Sequence, residues 1–239
     1  NTSRQFVAWL AEQNLSLGFS TYQSGKVFLI GHSENGSLSV FERTFERPMG
    51  LWSDGEVLWL STLYQIYRFK NSLPAGELND SYDRLFVPQM SYITADIDAH
   101  DIVAPNRDAL PVFVNTLFSC LATVSADASF KPIWQPPFIT QLAPEDRCHL
   151  NGLAFREDQP AYVTAIASTN VTDGWREHRH HGGIVMDVKS NEIIAQGLSM
   201  PHSPRWYNNA LWFLSSGSGQ LMRMELGKSP EVVAELPGF

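Results

Sequence analysis

Three histidines each sit in a short polar segment: His100 in Asp98-Ala99-His100-Asp101, His149 in Glu145-Asp146-Arg147-Cys148-His149-Leu150-Asn151, and His202 in Pro201-His202-Ser203-Pro204-Arg205. Neutral imidazole is an ordinary ligand of Zn, Mn or Fe(II). With oxygen from Asp98, Asp101 or Glu145, the three rings could hold one divalent ion and leave positions open for a substrate. His149 or His202, where it is not a ligand, can transfer a proton, and Arg205 or Arg147 can orient an anionic substrate, a set suited to a hydrolase or lyase. Arg47, Asn151, Arg147, Trp175 and Arg176 are the candidate ligand contacts. Trp175 beside Arg176 suits stacking on a sugar or aromatic ring while pairing with a carboxylate. Against this stands a plainer arrangement, in which each imidazole bonds nearby backbone in a polar channel and Trp175 anchors its own loop.

Other chemistries are less well supported. Asn151, Asp98, Asp101 and Glu145 offer oxygens to a hard cation of the calcium type, but the other openings carry no ring of Asn and Asp. Cys148 adjoins His149 and Ser203 adjoins His202, yet neighbours on an extended strand point to opposite faces, which opposes direct activation of either nucleophile. Gly217-Ser218-Gly219 lacks the Lys and helix of a phosphate loop and reads as a hairpin turn.

What must position these residues is a repeated strand. Leu58-Trp59-Leu60-Ser61-Thr62, Val112-Phe113-Val114-Asn115-Thr116, Ala161-Tyr162-Val163-Thr164-Ala165 and Trp212-Phe213-Leu214-Ser215-Ser216 have third residues 54, 49 and 51 positions apart, the spacing of four-stranded propeller blades. An all-β propeller of antiparallel blades follows, as one domain over residues 1–239 with repeats near 18–46, 47–97, 98–147, 148–199 and 200–239. In the first repeat, strands at 26–31 and 37–41 flank the turn Glu34-Asn35-Gly36. Residues 4–12 read as a short amphipathic helix with Phe6, Trp9 and Leu10 on one side. A sixth repeat is expected to begin at Pro237-Gly238-Phe239, which predicts a ring cut before closure; a closed five-bladed ring is the competing arrangement.

In such a blade the connection into the first strand and the one from second to third strand emerge on the same face. Arg47, Asp98, His100, Asp101, His149, Asn151, His202 and Arg205 should therefore converge on one channel mouth, with Glu145 and Arg147 at its rim. The long connection 168–183, carrying Trp175, Arg176, His178, His180 and His181, should hang over that mouth as a mobile flap.

The segments Arg47-Pro48-Met49-Gly50-Leu51, Phe118-Ser119-Cys120-Leu121, the run from Pro144 to Leu153 and Met200-Pro201-His202-Ser203-Pro204-Arg205 resemble an uncharacterised group of bacterial conserved hypothetical proteins. That group carries a domain of unknown function, sometimes fused to tetratricopeptide repeats. The resemblance covers essentially the whole chain and implies a propeller-like domain with members extending beyond Phe239; it supplies no substrate or catalytic residue. Tetratricopeptide fusions would suit the other functional class, a non-enzymatic domain recognising a protein, peptide or glycan at the rim.

Composition agrees with a globular domain: 44% of residues are hydrophobic and 18% charged. A net charge of −8 without a basic cluster argues against nucleic acid and anionic membrane as partners. No apolar run is long enough to span a bilayer, and Asn1 to Trp9 lacks the pattern of a secretory signal. Two cysteines, Cys120 and Cys148, are too few for a disulfide framework, so a reduced, cytoplasmic setting is expected.

Overall fold

The computed structural model describes residues 2–33 and 35–236, so Glu34 of the first expected turn and Pro237-Gly238-Phe239 of the expected sixth repeat lie outside the described residues. The fold is an all-β propeller of five antiparallel blades. Blade 1 contains β1 (Leu17–Thr21), β2 (Lys26–His32) and β3 (Leu38–Thr44), and blade 2 contains β4 (Leu51–Ser53), β5 (Val57–Ser61), β6 (Gln65–Asn71) and β7 (Phe86–Ile93). Blade 3 is β8 (Ala99–Val103), β9 (Val112–Asn115), β10 (Cys120–Thr123) and β11 (Lys131–Trp134). Blade 4 is β12 (Leu150–Arg156), β13 (Gln159–Ala165), β14 (Gly183–Asp187) and β15 (Ile193–Leu198); blade 5 is β16 (Pro201–Tyr207), β17 (Ala210–Ser215), β18 (Gln220–Met224) and β19 (Glu231–Glu235).

The recurring apolar word is the second strand of a blade, and its uninterrupted hydrophobicity has a direct cause. A strand alternates its side chains between two faces, and β5, β9 and β13 are covered on both, whereas β17 leaves Leu214 41% exposed on its outer face. In β5, Leu58 and Leu60 join Val27 of blade 1 and Phe69, whereas Val57 and Trp59 join Ile102 and Phe113 of blade 3. Phe113 and Val114 of β9 divide in the same way between blades 2 and 4. Val163 faces blade 3, and Tyr162 packs with Leu211 and Phe213 of blade 5. Burying each such side chain stabilises the fold by about 1.5–3 kcal/mol.

The first repeat differs from the sequence expectation. An additional strand, β1, precedes the two expected ones, and its Phe19-Ser20-Thr21 matches Leu60-Ser61-Thr62 at the end of β5 and just past it. The Ser20 hydroxyl donates to the Met49 carbonyl at 2.5 Å, as Ser61 does to Ala99 at 2.7 Å and Thr116 to Leu150 at 2.6 Å. In each case a hydroxyl at the end of a second strand, or just past it, reaches the opening segment of the next blade. Among the described residues, blade 1 therefore holds the second, third and fourth strands of a blade and not the first.

Ahead of it, α1 (Phe6–Glu12) packs against β2. Only Leu10 is fully buried, while Trp9 is 44% exposed, so the three expected residues do not share one buried side. No helix among the described residues is long and apolar enough to cross a membrane.

Candidate functional site

Four blades open on residues in the left-handed backbone region: Arg47 (φ 46°), Asp98 (φ 51°), His149 (φ 49°) and Met200 (φ 47°), each 51 positions after the last. This conformation is uncommon outside glycine, and its recurrence marks one structural position. Two residues further on lie Met49, His100, Asn151 and His202. His100 donates from Nδ1 to the Asp98 carbonyl at 3.0 Å, and His202 donates to the Met200 carbonyl at 2.8 Å. Asn151 reaches the His149 carbonyl at 3.4 Å. The left-handed residue thus orients the carbonyl that holds the side chain two positions on.

His149 occupies the opening position itself and is held differently. Its Nδ1 donates to Asp146 Oδ2 at 2.8 Å, and the same oxygen accepts Trp175 Nε1–H at 2.8 Å. The His149 ring lies against Trp175, with centroids 4.2 Å apart, and edge-on to His100 at 4.9 Å. Asp146 Oδ1 is buried and has no hydrogen-bond partner among the described residues.

All three histidines spend Nδ1–H on an oxygen that can only accept. The Thr116 hydroxyl near His100 Nδ1 gives its own proton to Leu150, so it too accepts from the ring. In the neutral ring the tautomer is therefore the same at all three, with Nε2 as the acceptor nitrogen. Burial pushes the pKa of His100 down, against the attraction of Asp98. His202 is pushed down to about 4, first by burial and further by the neighbouring His100 and His149 rings. Three imidazoles from blades 3, 4 and 5 therefore share one electrostatic environment.

The charged candidates are largely committed to one another. Arg47 pairs with Asp96 at 2.5 Å and Asp98 at 3.3 Å. Arg147, with only 10% of its side chain exposed, binds Glu145 at 2.8 Å, Asn170 at 2.8 Å and Gln141 at 3.4 Å. Arg205 meets Asp101 with two nitrogens, at 2.8 and 3.2 Å, spanning from blade 5 to blade 3. Asp101 also accepts the Ile102 and Leu153 amides. The Thr164 hydroxyl donates to the Asn151 amide oxygen at 2.7 Å.

The imidazoles suit a metal in type, since a ligating histidine commonly gives its other N–H to a carbonyl or carboxylate. Among the described residues, however, no three His, Cys, Asp or Glu side chains are grouped to hold an ion.

Connection 166–182 folds onto the segment that opens blade 4 and is tied down. The Asp173 amide bonds the Glu145 carbonyl at 3.1 Å, the Thr169 hydroxyl bonds the Arg147 carbonyl, and the 3-10 turn Gly174–His178 inserts Trp175, which is 8% exposed. Arg176 covers the Trp175 ring at 4.5 Å and pairs with Asp173 at 2.9 Å. Glu177, His178, His180 and His181 line a separate outer depression. Cys120 and Cys148 are buried free thiols, pushed up to about 12 chiefly by burial.

Asp146 is the functional candidate that sequence reasoning missed. It stood in the rim segment, but its contact with Trp175 across 29 residues left no local pattern.

The fold and site define a β-propeller in which three histidines from the openings of successive blades are neighbours. The chain belongs to the family described as a domain of unknown function, DUF4915, whose profile matches residues 4–239. No functionally curated protein matches it in sequence. Similar solved structures include a streptogramin B lyase, 12% identical with a TM-score of 0.53, covering 94% of this chain and 66% of that one. A catalytically inactive histidine-to-alanine variant of virginiamycin B lyase from Staphylococcus aureus, with quinupristin, is 14% identical with a TM-score of 0.51, covering 91% and 65%. A candidate 6-phosphogluconolactonase from Bacteroides fragilis is 12% identical with a TM-score of 0.52, covering 92% and 70%. The chain spans about two thirds of the length of the lyase structures, and identities this low show a shared fold alone.

Proposed function

We propose that this propeller binds a small polar or anionic molecule at the histidine-lined mouth and moves a proton on it, in chemistry of the hydrolase or lyase class. The observation that carries this reading is the common orientation of His100, His149 and His202, whose Nδ1 atoms are all committed while no Nε2 has a hydrogen-bond partner among the described residues. Packing alone does not call for three neighbouring imidazoles that all turn Nδ1 to an acceptor.

His149 is the proton-transfer residue in this reading. Asp146 holds its ring in the correct tautomer and stabilises the imidazolium that forms when Nε2 takes a proton. His100 and His202, kept neutral by burial, accept hydrogen bonds from the bound molecule. Arg205, engaged with Asp101, acts as a positioning residue beneath the rim. Because the described donors do not form an ion-binding group, no step is routed through a metal. The fold neighbours are named as lyases and a lactonase, and one is a catalytically inactive histidine-to-alanine variant; these names support a histidine-dependent reaction of the hydrolase or lyase class.

The test is a turnover panel of small lactones and cyclic esters, with binding followed through the histidine ring resonances. His149→Ala should lower kcat by about 10²–10⁴-fold while leaving the fold intact, and Asp146→Asn should also lower it. Turnover unchanged by both substitutions would refute the assignment. Saturable binding at the histidines without turnover would point to a recognition domain.

A further inference from the structure

Alternate positions on strands of blades 1 and 2 enclose a cavity of about 70 Å³, walled by Val27 and Leu29 of β2, Phe41 and Arg43 of β3, and Leu58 and Leu60 of β5. The other three residues of its wall are phenylalanines. Val27 stands directly opposite Arg43 in the ladder between β2 and β3, and Leu29 opposite Phe41, so these four share one face of blade 1. Among the described residues the wall comes from the third and fourth strands of blade 1, the segment after them and the strands of blade 2; β1 takes no part in it.

One residue of this wall is out of character. An arginine on a face that otherwise packs as apolar core must carry its charge outward along an apolar stem. Val27, Leu58 and Leu60 are buried while Arg43 is exposed, so the cavity opens to solvent past the guanidinium. The guanidinium carbon lies 4.1 Å from the centre of the Phe41 ring. Among the described residues Arg43 makes no ion pair, and its one hydrogen bond runs from Nη1 to the Glu42 carbonyl at 2.9 Å. The Glu42 carboxylate, on the opposite face of β3, is already paired with Lys26 at 2.9 Å. Arg47, Arg147 and Arg205, by contrast, are each matched by a carboxylate. The cation at this opening has donors to spare.

We propose that this cavity is a binding site for a free, unbranched aliphatic carboxylate of about butyrate length, its chain among the valine and leucine side chains and its carboxylate on Arg43. Two properties of the site select that occupant. An apolar cavity of roughly 150 Å³ stays dry and takes up benzene, so one of about half that size holds about three carbons. A carboxylate is the anion whose two oxygens match the planar guanidinium fork, and three carbons behind it make butyrate. Each methylene moved from water into the cavity strengthens binding by about fourfold. The inference does not depend on the catalytic reading of the histidines.

The probe is sodium butyrate, titrated into the full chain while the methyl resonances of Val27, Leu58 and Leu60 are followed, with acetate, hexanoate and 1-butanol for comparison. Butyrate should shift those methyls saturably and bind about tenfold or more tightly than acetate, which has no methylene to bury. Hexanoate should gain nothing further, because the cavity is already full. Arg43→Gln alters an exposed side chain and leaves the apolar wall intact; it should weaken butyrate by about tenfold or more and leave 1-butanol unchanged. Four results would overturn the proposal: no saturable shift of the cavity methyls, affinity that keeps rising from butyrate to hexanoate, 1-butanol binding as tightly as butyrate, or butyrate binding untouched by Arg43→Gln.

Discussion

Removing the Asp101 carboxylate tests how blades 3, 4 and 5 are joined. The side chain is 8% exposed and accepts from the Ile102 amide at 3.0 Å, the Leu153 amide at 3.1 Å and the Arg205 guanidinium at 2.8 and 3.2 Å. Asp101→Ala leaves two backbone N–H groups without their acceptor, each costing about 1–3 kcal/mol, and strands a cation; about 4 kcal/mol is expected in total. Arg205→Met keeps the apolar stem and leaves both amides bonded to the carboxylate. Because the Arg205 side chain is 51% exposed, solvent screens the pair and its loss should cost about 1 kcal/mol. For a chain of this size those values correspond to falls in Tm of about 8–16 °C and about 2–4 °C. Urea unfolding of both single variants and the double variant provides the measurement. A loss for Arg205→Met as large as that for Asp101→Ala would refute the reasoning, since the ion pair rather than the amide bonds would then carry the junction.

Acid should destabilise the fold through the buried histidines. His202 titrates near 4 in the folded chain against 6.5 when free, and His100 is lowered as well; the unfolded chain therefore binds more protons between those values. Stability contributed by the neutral rings is full above about pH 6.5 and is lost as pH falls toward about 4, and His202→Asn should flatten that decline in urea midpoints measured at pH 7.5 and 4.5. Cys120 and Cys148 should resist a thiol reagent at pH 8 in the native protein and react once urea unfolds it, because both thiols are buried and pushed up to about 12. Trp175→Ala should cost about 3 kcal/mol, as loss of a buried aromatic does, and should broaden the His149 ring resonances; unchanged stability would return 166–182 to the role of a loose flap.

The second strands of blades 2 to 4 were legible in the sequence because stacking between two blades makes both of their faces apolar, and no loop or amphipathic helix imitates that pattern. β1 escaped notice because Gly18 interrupts its apolar run, so only Phe19-Ser20-Thr21 recorded its kinship with Leu60-Ser61-Thr62. The polar openings were legible as a group, but their pairings were not. Arg205 finds Asp101 across 104 residues and Trp175 finds Asp146 across 29, and neither separation follows from local pattern. A charged residue in a polar channel needs an opposite charge or a ligand, and sequence alone does not say which one supplies it. Here Arg47, Arg147 and Arg205 are all matched by carboxylates of the same chain. Histidine differs because its ring has two nitrogens. One can be spent on holding the ring in place while the other stays free, so being structurally satisfied leaves His100, His149 and His202 chemically competent.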